Sequence, residues 1–112
     1  MATTIKLMQG DSRAVYFTLE QSGAELTPNK VSEVEVTVGE GFRKLYSADG
    51  VGWDKQRRQW YIFPTQEETL AMEPDGYEVQ ARFKYPNGDF SPVKGLTIGR
   101  IIITSAQSKE VI

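Results

Sequence analysis

The sequence predicts an all-β fold, an antiparallel β-sandwich of about seven strands with one short helical turn. Three observations carry that expectation. Between Tyr77 and Tyr85 the apolar residues Tyr77, Val79, Ala81, Phe83 and Tyr85 alternate with Glu78, Gln80, Arg82 and Lys84, which is the period of a strand with one buried and one wet face. Turn-forming clusters of Gly, Pro, Asn, Asp and Ser recur roughly every eight to twelve residues, the spacing of a sandwich. The only helical signal, starting at Pro64, meets Pro74, which forbids a long helix.

Thr3 to Met8 reads as a first strand with Ile5 and Leu7 on one face, closed by the turn Gln9-Gly10-Asp11-Ser12, whose Gly and Asp accept turn geometry at low cost. Arg13 to Glu20 alternates again, with Val15, Phe17 and Leu19 inward; Gln21 to Ala24 turns, and Leu26 is expected to plug one end of the core. Val31 to Val38 is the next strand, with Val34, Val36 and Val38 on its buried face and Glu33, Glu35 and Thr37 outside. Phe42 to Tyr46 reads as a short edge strand, Ser47-Ala48-Asp49-Gly50 as a turn, and the charged run Asp54 to Arg58 as a hairpin tip. Gln59 to Phe63 is a strand whose apolar run hides its buried face; Trp60 and Ile62 are assigned inward.

Thr65 and Glu68 form a capping box, in which each side chain satisfies the other's backbone amide, and Pro74 forbids continuation, so this is one or two turns of helix that carry the chain between sheets. Pro86-Asn87-Gly88-Asp89 is a hairpin tip, because Asn-Gly suits the positive φ angles of a type I′ turn. The partner strand runs from Phe90 to Lys94, breaks at Gly95 and resumes from Leu96 to Thr104. Pro92 places its first part on an edge or a bulge, and the slip of apolar parity between Ile98 and Ile101 places a bulge near Gly99. Residues 1–104 are expected to form the sandwich and residues 105–112 a loose tail.

A tyrosine stands two residues before the core position Val79, in Asp75-Gly76-Tyr77-Glu78-Val79. That is the place of a tyrosine corner in an immunoglobulin-like sandwich, with Val79 where antibody domains carry a cysteine.

Composition bounds the chemistry. The 112 residues make one domain, and a net charge of −2 from 13 basic and 15 acidic residues leaves no basic stripe for nucleic acid. There is no cysteine and no histidine, which removes thiol nucleophiles, the commonest metal ligand and the usual base near neutral pH. No cofactor is expected. The opening Met1-Ala2-Thr3-Thr4-Ile5-Lys6 has no apolar core of a signal peptide, and no stretch has membrane-spanning length; the expectation is a soluble chain made in a cytoplasm.

Each candidate site meets a plainer reading. Glu67, Glu68, Glu73 and Asp75 could gather around calcium, but that ion needs six to eight converging oxygens, and Glu67 and Glu68 are explained by the helix start. Glu33 and Glu35, two apart on a wet face, suit cross-strand pairing with Arg82 or Lys84 better than acid catalysis. No G-x-S-x-G occurs, so an enzyme is not expected. The aromatics Tyr46, Trp53 and Tyr61 are the candidate interface or ligand platform, with Phe42 beside them and Trp60 assigned to the core. As a stacking platform they would make the protein a carbohydrate-binding or adhesive module, the alternative function.

Four segments form a linear pattern: Ile5-Lys6-Leu7-Met8-Gln9-Gly10-Asp11-Ser12 with Val15-Tyr16-Phe17-Thr18-Leu19; Trp60 through Thr69; Asp75 through Gln80; and Phe90 through Ile103. This pattern resembles the small immunoglobulin-like domains of tailed-bacteriophage and prophage structural proteins, such as the N-terminal domains of baseplate upper proteins. The resemblance implies a non-enzymatic virion component of the tail, synthesised in the bacterial cytoplasm. Its partners would be other tail proteins and further copies of itself, with no nucleic acid and no membrane. It would work through repeated contacts multiplied by copy number. Ile101, Ile103 and the terminal Val111-Ile112 are the expected places for those contacts.

Overall fold

The computed structural model describes residues 3–21, 23–86 and 90–107. In chain order the elements are β1 (Thr3–Met8), β2 (Val15–Phe17), the two-residue strands β3 (Glu20–Gln21) and β4 (Ala24–Glu25), a 3₁₀ turn (Pro28–Lys30), β5 (Glu33–Val38), β6 (Phe42–Leu45), β7 (Val51–Asp54), β8 (Gln59–Ile62), α1 (Gln66–Leu70), β9 (Gly76–Lys84) and β10 (Phe90–Thr104). A five-stranded sheet of order β1-β10-β9-β5-β6 faces a three-stranded sheet of order β2-β8-β7, and β3 pairs with β4 alone. The fold is all-β and a sandwich. The strand sets β10-β9-β5 and β2-β8-β7 follow the GFC and BED order of an immunoglobulin-like fold.

The period-two expectations hold strand by strand. Val15, Phe17, Leu19, Val34, Val36, Val38, Trp60, Ile62, Val79, Ala81 and Phe83 are all buried in one core, with Leu7 and Leu26. Ile5, Tyr77 and Tyr85 pack against it from its margins. Val51–Asp54, not anticipated as a strand, pairs antiparallel with β8 to make the hairpin whose tip is Lys55 to Arg58.

One pair departs from the antiparallel expectation: β1 runs parallel to β10, from Thr3 opposite Gly99 to Met8 opposite Thr104. After Met8 the chain crosses to the other sheet, so β1 has no sequence neighbour to pair with in its own. The free edge it meets belongs to β10, which points the same way. That pairing also corrects two interface expectations. Ile101 and Ile103 are core residues, 1% and 2% exposed, and from Gly99 to Thr104 the strand β10 is paired with β1 along its outer edge.

The reason is the predicted bulge. Thr97 pairs with Gln80 and Gly99 with Val79, so Ile98 is an extra residue in β10, and the residues beyond it turn their odd-numbered side chains inward. A second register shift lies between Ser91 and Leu96, spanning Pro92 and Gly95 as expected. The hairpin tip at Asn87 to Asp89 lies outside the described residues, as do residues 108–112 of the tail, including Val111 and Ile112.

One end of the sandwich is tied by hydrogen bonds among three loops. Gly10, at φ +91°, makes the turn that a side chain would strain, and its amide donates to Thr69 Oγ1 at 2.9 Å. The Thr69 hydroxyl donates to the Asp11 carbonyl at 2.9 Å, and Ser12 Oγ donates to the Pro64 carbonyl at 2.9 Å. Buried Gln9 donates to the Met72 carbonyl at 2.9 Å and accepts the Ala106 amide at 3.3 Å. The capping box is closed from both sides: the Glu68 amide reaches Thr65 Oγ1 at 3.1 Å, and the Thr65 amide reaches Glu68 Oε1 at 2.8 Å. The tyrosine corner is closed too, its Tyr77 hydroxyl donating to the Glu73 carbonyl at 2.6 Å.

Candidate functional site

At the opposite end the chain builds a cleft around a buried indole. Trp60 has none of its surface exposed, and its Nε1 donates to the Leu26 carbonyl at 2.9 Å, so the ring carries no unmet polar group. Two further aromatics stand edge-on to it. The Tyr46 ring lies 5.3 Å away at 85°, and the Trp53 ring 5.3 Å away at 69°. Both are T-shaped arrangements that the aromatic quadrupole favours.

Strand pairing explains the placement: Trp53 is directly opposite Trp60 in the β7–β8 ladder, and side chains opposite one another project from the same face. Tyr46 follows β6, its amide donating to the Val34 carbonyl at 2.9 Å. Tyr46 and Trp53, both half-buried, line an open cleft of about 590 Å³ together with Thr27, Asn29, Lys55 and Arg58. That size is ordinary for a small-ligand site.

Tyr61 is not part of it. With Trp60 inward, alternation sends Tyr61 to the outer face of the three-stranded sheet. There its ring lies over Gly52, where a Cβ would meet the Tyr61 hydroxyl at 2.5 Å, and 5.8 Å from the Tyr16 ring. Arg57 covers the other aromatic, its guanidinium 4.3 Å from the Tyr16 centroid. The expected platform of Tyr46, Trp53 and Tyr61 is therefore two sites on two faces. The alternation that assigned Trp60 inward already required this split.

The cations of the cleft were not anticipated. Lys55 and Arg58 come from the hairpin tip, which Asp54 organises: its Oδ1 accepts the Gln56 amide at 2.9 Å and the Arg57 amide at 3.0 Å. Arg58 adopts φ +54°, a left-handed conformation uncommon outside glycine and asparagine. The charged run marked a tip in the sequence, but nothing local placed that tip beside Thr27 and Asn29.

On the outer face of the five-stranded sheet, Glu35 accepts from Arg82 Nε at 2.8 Å and from Arg43 Nε at 2.5 Å. The Arg82 bond is the main reason its carboxyl is held below the ordinary 4.5, with Arg43 adding to it against the effect of burial. Burial would raise Glu33, but hydrogen bonds from the Ser47 side chain and amide outweigh it and lower that carboxyl too. Glu68 is likewise lowered, its Lys44 partner at 2.7 Å and its capping role overcoming burial. Glu33 and Glu35 are thus anions bound into ladders, with Arg82 the cross-strand partner expected for Glu35. Among the described residues no three acidic side chains converge as metal ligands.

No protein-family model, curated protein or solved structure matches this chain.

Proposed function

We propose that this protein is a non-enzymatic structural component of a phage or prophage virion, a tail or baseplate module that acts through protein–protein contacts. The reading rests on the phage-like run of segments, and one observation supports it beyond the run itself. Three of those segments, the Gln9-Gly10-Asp11-Ser12 turn, the Pro64-to-Thr69 cap and the Tyr77 corner, gather at one end of the sandwich. The first two are knotted directly together by the bonds of Gly10, Thr69 and Ser12, and the corner is pinned beside them through Glu73. An end tied together in this way suits a module repeated in an assembly, where small contacts are multiplied by copy number.

With Ile101 and Ile103 in the core, the contact surface shifts to the outer face of the three-stranded sheet. Tyr16 and Tyr61 lie there, with Phe63 two residues beyond Tyr61 and 52% exposed. The partners are other tail proteins and further copies of the chain, and the location is the virion tail after synthesis in a bacterial cytoplasm.

The test is sedimentation of an induced lysate of the source organism, probed with an antibody to this polypeptide. Co-sedimentation with phage or tail particles supports the reading; a polypeptide wholly in the supernatant while particles pellet overturns it.

A further inference from the structure

The cleft at the Trp60 end has a chemistry that assembly does not use. Its walls combine two half-buried aromatic rings, Tyr46 and Trp53, with two cations, Lys55 and Arg58, and the polar Thr27 and Asn29. We propose that this cleft binds a saccharide unit bearing a carboxylate, the sugar ring lying against the aromatics and the acid held by Lys55 and Arg58.

Three observations favour that occupant over a neutral sugar or a simple anion. The aromatics are set before any ligand arrives, because both pack edge-on against the fully buried, hydrogen-bonded Trp60, and a preformed site loses less freedom on binding. An aromatic pair offers an apolar surface to the C–H face of a sugar, for which a bare anion has no use. The charge is free to act outward: Asp54, the nearby acid on the tip, is spent on the Gln56 and Arg57 amides and on the Arg57 guanidinium at 3.6 Å. Among the described residues neither Lys55 nor Arg58 is in an ion pair.

The backbone adds an independent sign. Arg58 holds its side chain at the cleft from a left-handed conformation that glycine or asparagine would take with less strain. Strain kept at a position that lines a cleft is the pattern of a residue retained for what its side chain does. The inference does not depend on the virion reading and stands or falls separately.

Calorimetric titration of the whole chain with three probes tests it: tetragalacturonate, its fully methyl-esterified form and tetraglutamate. Saturable binding is expected for tetragalacturonate, weaker by about tenfold or more for the ester, since a hydrogen-bonded charge pair is worth that much. Trp53→Ala and Arg58→Asn should each weaken it, Arg58→Asn with no loss of melting temperature because asparagine accepts the same backbone angle. Absence of saturable heat with tetragalacturonate overturns the proposal. So does tetraglutamate binding as tightly, which would make the cleft an acidic-peptide site, and so does an unchanged affinity in Trp53→Ala.

Discussion

The two ends of this sandwich are finished in different ways. At one, the Gln9–Ser12 turn, helix α1 and the tyrosine corner tie their polar groups to each other. At the other, a buried tryptophan with a single hydrogen bond supports two aromatic rings whose outer sides line an open cleft. The first end spends its hydrogen-bonding groups internally and is suited to rigidity. The second leaves cations and aromatic surface unspent, which is the condition for binding something else.

The largest test of this contrast is Trp60→Ala. Removing a fully buried aromatic of this size should lower stability by about 3–5 kcal/mol in denaturant titration and release Tyr46 and Trp53, visible as loss of the near-ultraviolet dichroism of the aromatics. A loss under about 1 kcal/mol, outside the range for buried aromatics, would mean that the cleft end does not rest on Trp60.

Thr69→Val probes the other end without changing shape. It strands the Gly10 amide and the Asp11 carbonyl, at a cost of about 1–3 kcal/mol, and should speed hydrogen exchange at Gly10 in particular. Tyr77→Phe removes only the corner bond to Glu73, which lies near water, so about 0.5–1.5 kcal/mol is expected; thermal melting of the pair against wild type measures it.

Arg58→Gly should act in the opposite direction. Relief of left-handed strain in a non-glycine residue outweighs the extra chain entropy of glycine by about 0.5–1 kcal/mol, so the melting temperature rises. A fall would show that the Arg58 side chain contributes to the fold itself, and the cleft end would lose its standing as unspent.

The smallest effect is electrostatic and lies on neither end. Glu35 has its folded carboxyl lowered, first by Arg82 and then by Arg43, so the unfolded chain binds its proton more readily. Its stabilisation is therefore complete above the ordinary value of 4.5 and is lost as pH falls through the lower folded value. Glu35→Gln should cost little at pH 7, because both arginines are largely solvent-screened, and the difference from wild type should vanish in strong acid. Denaturant midpoints from pH 7 to pH 2 check the sign.

Most of the fold was legible along the chain. The alternation in Val34-Glu35-Val36-Thr37-Val38 and in Tyr77 to Tyr85 assigns faces directly, the Thr65–Glu68 spacing announces a cap, and the parity slip at Ile98 announces a bulge. Yet that same slip, followed two residues further, would have put Ile101 and Ile103 in the core instead of at an interface. The site was legible only in part. Tyr46 and Trp53 were marked by being aromatic, whereas Thr27, Asn29, Lys55 and Arg58 carry no local sign of belonging together.

By itself, then, the sequence determined the sandwich, its inward residues, its capped helical turn and its tyrosine corner, because each depends on neighbours a few positions away. Only the tertiary structure decided that β1 would pair parallel with β10, that Tyr61 would stand apart from Trp53, and that a loop from Thr27 to Asn29 would wall a cleft with a hairpin tip some thirty residues on. Those outcomes follow from which free edge a strand meets and which face of a sheet closes over which loop. They are contacts between distant parts of the chain, and no local period encodes them.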